Sequence, residues 1–259
     1  MNPLWALPLG LGVGATLGAL GGGGAILTVP ALVYLLGQDP RVATTGSLVI
    51  VGASALVGMV PHRRAGNVRL GAGLAFGGIG IVGSFAGSVL SRQVDPAVLM
   101  VSFAALMLAV AAVMVRRLRR TRGVAEVEQP DDTGVRVPLL LATATGVGLL
   151  TGFFGVGGGF AVVPALTLVL GFRMRVAVGT SLLVIALNSA TALASRAILG
   201  LEGLDWPLIG TFAVCAILGS LAGGRVAARA NPRHLTIAFV VMLLVIAALM
   251  LGQNVPDLA

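Results

Sequence analysis

Residues 4–37 form one apolar run, and four consecutive glycines, Gly21-Gly22-Gly23-Gly24, stand in its middle, followed by Pro30. The pattern returns as Gly155-Val156-Gly157-Gly158-Gly159 with Pro164. Apolar runs of this length belong in a bilayer, yet each glycine inside a helix costs about 1 kcal/mol against alanine. Irregular backbone at membrane depth survives only where protein buries it or where it lines a cavity. The two clusters therefore predict deliberate breaks in membrane segments, which is where transporters place their substrates.

Composition puts the chain in the membrane. Of 259 residues, 57% are hydrophobic and 10% charged, against roughly 25% charged in soluble domains. The longest hydrophilic run, Arg116 to Arg136, is too short for a soluble domain. The net charge of +8 comes from arginine alone, and the arginines scatter over loops. That is the signature of membrane topology rather than of a nucleic-acid surface, so the lipid bilayer is the expected partner and nucleic acid is not. A single Cys215 excludes a disulfide or metal framework. No basic stretch or cleavage pattern at the start of the chain suggests a removable signal peptide.

The chain repeats itself. Gly12–Ile50 laid on Gly146–Val184 without a gap gives 18 identities in 39 positions, among them Pro30/Pro164, Arg41/Arg175 and Ser47/Ser181. A second block follows with a two-residue shift: Gly83-Ser84 aligns with Gly219-Ser220, and Asp95-Pro96 with Asn231-Pro232. This divides the chain into membrane repeat 1 (1–115), a basic cytoplasmic linker (116–137) and membrane repeat 2 (138–259).

Arginine positions select the topology. The arm after the first cluster, Ala25–Leu36, is too short to cross a hydrocarbon core of about 30 Å by itself. If each broken segment is one span, the two membrane faces carry 10 and 7 arginines. If each is a hairpin that returns to its own side, the faces carry 14 and 3. The positive-inside rule prefers the second. The expected fold is an all-α integral membrane protein of two inverted structural repeats. Each repeat has a Gly-broken re-entrant helix pair plus three transmembrane helices, about eight to ten helical segments in all. The linker is then cytoplasmic and both termini lie outside.

The duplicated Gly-to-Pro segment (Gly21–Pro30 and Gly155–Pro164), followed by Arg175–Leu182 reading Arg-x-Ala-x-Gly-Thr-Ser-Leu, resembles the sulfite exporter TauE/SafE family of bacterial permeases. The resemblance covers nearly the whole chain. The first copy departs from it, with Thr45-Gly46-Ser47 where the second has Gly179-Thr180-Ser181. The resemblance implies a bacterial cytoplasmic (inner) membrane protein that moves sulfite, organosulfonates or related sulfur anions.

The residues themselves fit an anion. A helix N-terminus inside the membrane presents unpaired N–H groups and about half a positive charge, and glycine leaves that backbone open. Candidate substrate contacts are the backbones of Gly22, Gly23, Gly24, Gly157, Gly158 and Gly159. The polar side chains of Ser47, Thr180, Ser181 and Asn188 join them, and Ser54 aligns with Asn188. The alternatives are close helix packing for the glycines, helix capping for Ser47, Thr180 and Ser181, and an interhelical hydrogen bond for Asn188. Pro30 and Pro164 are expected to end or kink the short arms. Arg41 and Arg175 are candidates for the vestibules, or for snorkelling to headgroups. His62, next to Pro61 at a span end, reads as an ordinary interfacial residue, with titration near neutral pH as the alternative.

All nine acidic residues fall in loops or tails. That argues against a cation transporter and a carboxylate proton relay. No nucleotide loop, catalytic constellation or metal-ligand cluster is present in the sequence, so the chain is not expected to be an enzyme or to hold a metal or cofactor. The reading is a secondary permease for small anions, working by alternating access around a midplane site. An anion channel and a non-transporting membrane scaffold are the competing classes, and a homodimer is compatible with any of them.

Overall fold

The computed structural model describes residues 6–91, 94, 96–120, 137–154, 159–198 and 204–254. These residues form ten helices and two π-helical turns, with no strand among them. The first half contains α1 (Ala6–Leu20), α2 (Gly22–Pro30), α3 (Pro40–Arg64), α4 (Leu70–Ser91) and α5 (Pro96–Arg120). The second contains α6 (Val137–Phe154), α7 (Gly159–Pro164), α8 (Met174–Ile198), α9 (Trp206–Arg229) and α10 (Pro232–Asn254).

Several starts are written locally. Asp39 Oδ1 accepts from Val42 N at 3.4 Å, Asp205 Oδ1 from Leu208 N at 3.2 Å, and Asn231 Oδ1 from Arg233 N at 2.9 Å. Each capping side chain is followed by Pro40, Pro207 or Pro232 in the first turn, where a missing N–H costs nothing.

The first glycine cluster breaks the helix as its composition requires. Gly21 has φ 67° and ψ −126°, a conformation that side chains disfavour, and α2 restarts at Gly22. A Cβ on Gly24 would overlap the backbone of Leu17, so the chain bends sharply at Gly21 and α2 lies back against the last turn of α1.

Pro30 and Pro164 end their α-helical arms, but the chain winds on as a π-helical turn over Ala31–Leu35 and Ala165–Val169. The wider register is carried by Leu36 N to Ala31 O and Leu170 N to Ala165 O, both 3.2 Å. Gly37 (φ 64°) and Gly171 (φ 71°) close the two turns at aligned positions.

Six helices are long and apolar enough to cross a membrane: Val42–Arg64, Leu70–Gly87, Val101–Arg119, Met174–Ala194, Trp206–Arg229 and Pro232–Leu249. That is three in each half. Helices α1, α2 and α6 are apolar but shorter. Large apolar side chains face outward along the spans: Phe85 is 74% and Val82 72% exposed. A surface of this kind belongs against lipid.

Small residues set the packing, as they do where lipid removes the hydrophobic drive between helices. Helix α1 packs on α9, and α6 packs on α4. A Cβ on Gly83 would meet Thr145 and Leu149, and one on Gly219 would meet Leu11 and Ala15. These positions are aligned pairs in the two halves, so one backbone-close contact occurs twice. Helix α3 packs on α8, with Gly52 facing Ser189, and α5 packs on α10.

Several arginines tie helix ends to neighbouring elements. Arg117 donates to the Thr167 carbonyl, and Arg175 Nε to the Ala230 carbonyl at 2.7 Å. Arg69 N donates to Thr180 Oγ1 at 3.1 Å, and Arg119 and Arg233 line one groove. These contacts join the end of α5 to the π-helical turn after α7 and to the start of α10, the end of α9 to the start of α8, and the start of α4 to α8.

Candidate functional site

The starts of α2 and α7 touch. A Cβ on Gly22 would overlap the Gly159 carbonyl, and one on Gly159 would lie 2.7 Å from Gly22 Cα and 2.8 Å from Gly22 O. Helices α2 and α7 thus meet start to start, backbone against backbone. Gly21 faces Ser181: a Cβ there would overlap Ser181 Oγ and lie 3.2 Å from Val163 Cγ2. Ile185 Cδ1 comes within 3.1 Å of the corresponding position on Gly159. Helix α8 therefore walls the junction of the two breaks. Gly22 and Gly23 open α2, where first-turn N–H groups have no intrahelical acceptor.

The side chains named from sequence divide among different places. Ser47 and Ser181 are buried and occupy aligned positions. Each donates to its own helix at 2.8 Å, to Thr44 O and Val178 O respectively. Helices α3 and α8 begin seven residues earlier, at Pro40 and Met174, so neither serine caps its helix. With their protons committed, the hydroxyls turn lone pairs to their surroundings, and donating to an anion requires each hydroxyl to rotate. Thr180 is buried and accepts from Arg69 N, which caps the start of α4. Arg175 is tied to the C-terminal end of α9, where a cation suits the helix dipole. Gly24 packs on its own arm. Arg41 lies in the first turn of α3. Gly157 and Gly158 lie outside the described residues.

Three buried polar atoms among the described residues have no hydrogen-bond partner: Ser54 Oγ, Asn188 Oδ1 and His62 Nδ1. Ser54 and Asn188 are the aligned pair of α3 and α8. Asn188 stands two turns beyond Ser181, next to Ser189 where α8 meets Gly52 of α3. An unpaired buried polar atom costs about 1–3 kcal/mol. Ser54 and Asn188 thus each carry an unpartnered polar atom at aligned positions of α3 and α8.

His62 is the residue whose surroundings sequence reading missed. It is fully buried within the protein, with 0% exposure. Its Nε2 stands 2.9 Å from the Gly18 carbonyl, so the ring donates to the last turn of α1, just before the break. Burial comes from glycine surfaces on other helices: Gly179 of α8 and Gly224 of α9 both face the ring or its Cβ. Nothing in the local sequence of Pro61-His62 signals this, because the three partners come from three distant segments.

Six helices long and apolar enough to cross a membrane, with the starts of α2 and α7 in contact, fit a polytopic membrane transporter. The chain belongs to the sulfite exporter TauE/SafE family, whose sequence profile matches residues 6–250. A probable membrane transporter protein of Xylella fastidiosa (strain 9a5c) is 35% identical over 219 residues, covering 84% of this chain and 82% of that one. A probable membrane transporter protein of Bacillus subtilis (strain 168) is 30% identical over 263 residues, covering 94% and 93%. A third, from Methanocaldococcus jannaschii, is 26% identical over 251 residues, covering 90% and 91%. No solved structure matches the chain.

Proposed function

We propose that this membrane transporter is a secondary permease for small anions, with sulfite, organosulfonates or related sulfur compounds as the substrate class. The observation that carries the reading is the contact of Gly22 with Gly159. Two helix starts at one point sum two partial positive charges and several open N–H groups, which is an anion site without a basic side chain. Ser181 at Gly21, and Asn188 and Ser54 further along α8 and α3, supply neutral polar groups. Gly23, Gly157, Gly158 and Ser47 complete the proposed lining from the sequence pattern, with Arg41 at a vestibule, whereas Gly24 packs on Leu17, Thr180 is engaged by Arg69 N and Arg175 by the Ala230 carbonyl.

In this reading the halves are inverted repeats and each glycine-broken pair is re-entrant. Support comes from helix ends. The end of α3 meets the start of α8 through His62, Asn67 and Gly179. The end of α5 meets the start of α10 at the groove of Arg119 and Arg233. These two counterpart pairs, α3 with α8 and α5 with α10, lie end to start, as inverted repeats would have them. The breaks touch in this conformation, so an anion enters between them only when the halves part, as alternating access requires. The arginine-rich end would face the cytoplasm of a bacterial inner membrane, with the linker on that side and both termini outside.

The test is counterflow. Proteoliposomes loaded with unlabelled sulfite should transiently accumulate labelled sulfite above equilibrium. Saturable flux without counterflow would make the protein a channel. Absence of flux for every sulfur anion, in protein that remains folded, would favour a scaffold.

A further inference from the structure

We propose that the groove between the end of α5 and the start of α10 binds an anionic phospholipid from the surrounding leaflet. The groove has a volume of about 240 Å³ and is lined by Val115, Leu118, Arg119, Arg233 and Ile237. Val115, Leu118 and Arg119 lie at helical spacing on one face of α5, and Arg233 and Ile237 do so on α10. The order along each helix is what selects the ligand. Arg119 is one turn nearer the end of α5 than Val115, and Arg233 is one turn nearer the start of α10 than Ile237. Both guanidinium groups therefore sit at the arginine-rich end of the bundle, and the apolar rungs continue toward its middle. A phospholipid has the same gradient, with phosphate at the interface and acyl chain beneath it.

Charge complementarity points the same way. Both arginines are exposed, and neither guanidinium has an ion-pair or hydrogen-bond partner among the described residues. Nearby Arg117 is already engaged with the Thr167 carbonyl. Basic pockets between membrane helices hold lipid headgroups in this way. The groove is too small to enclose an organic ligand of drug size, for which about 300 Å³ is a lower bound, but it suffices for a phosphate whose acyl chains stay in the bilayer. The site is on the outer face of the bundle and is independent of the transport reading.

The experiment is lipid retention by the full chain. Protein purified from mixed micelles of phosphatidylglycerol and phosphatidylcholine is analysed by native mass spectrometry. Wild type should retain phosphatidylglycerol in preference to phosphatidylcholine. Arg119→Gln/Arg233→Gln should lose that preference by roughly tenfold. Arg63→Gln/Arg64→Gln, which removes two arginines elsewhere at the same end, should keep it, as should Arg119→Lys/Arg233→Lys. Equal retention of the two lipids by wild type would overturn the site. So would equal losses in both glutamine pairs, since retention would then follow general charge. Displacement of the lipid by millimolar inorganic phosphate would make the groove a soluble-anion site and overturn the lipid assignment.

Discussion

Gly22 and Gly159 meet with no side chain between them, and each occupies the space that the other's Cβ would need. The contact joins the start of α2 to the start of α7, from opposite halves of the chain. Gly159→Ala should therefore force the two breaks apart, because the atoms it strikes are backbone and have no flexible end to yield. Anion flux should fall to background while the protein still reaches the membrane. Gly12→Ala and Gly146→Ala are the controls, since a Cβ at either meets nothing within 4 Å. They should retain flux and gain a few tenths to about 1 kcal/mol of stability from helix propensity, read as a raised melting temperature in detergent.

Ser54 and Asn188 carry buried polar atoms without partners. If they wait for substrate, stability and function should move in opposite directions. Ser54→Ala should be neutral or stabilising by about 1 kcal/mol, because it removes an unpaired buried hydroxyl. Asn188→Ala should weaken anion binding by about 1–3 kcal/mol. Parallel measurement of melting temperature and ligand affinity checks both. Unchanged affinity in the two variants would return the pair to a structural role.

The fully buried His62 ring holds the end of α1 through the Gly18 carbonyl. His62→Ala leaves that carbonyl unpaired and empties a space walled by glycine, so it should cost about 1–3 kcal/mol. His62→Gln keeps an N–H donor and should cost less. Denaturation in detergent orders the three proteins, and a wild-type-like alanine variant would show that the latch carries no stability.

Arg175 was a vestibule candidate from sequence, and its Nε bonds the Ala230 carbonyl. Arg175→Gln should lower stability by about 1.5–3 kcal/mol, the range for a hydrogen bond to a charged group. A vestibule role would appear differently, as reduced flux at low substrate with the melting temperature unchanged.

The spans were legible because hydropathy reports length directly. Three long apolar helices per half, and short arms at each glycine cluster, follow from runs of residues that the bilayer reads without reference to anything distant. The break at Gly21 was legible for the same reason: no other residue type accepts its φ of 67° at so little cost. The turns after Pro30 and Pro164 were half legible. Proline announced a disruption, but whether the chain kinks or widens depends on which carbonyls Leu36 and Leu170 find. The environment of polar side chains was not legible. Thr180 bonds a residue 111 positions away, and His62 one 44 positions away. Such partners are set by helix packing, and small residues that pack backbone to backbone leave no complementary pattern in the sequence.

Anion binding at the facing starts of α2 and α7 is read by ligand-induced thermal stabilisation of the purified protein, with sulfite, sulfate, thiosulfate, taurine, phosphate and chloride as probes. A ligand at 100 times its dissociation constant adds about 2.7 kcal/mol. Wild type should be stabilised by a sulfur anion, and Gly159→Ala should show no shift from its own unliganded midpoint with that anion. An equal shift in the variant would place the anion elsewhere, and no shift in wild type with any of the probes would contradict the anion site itself.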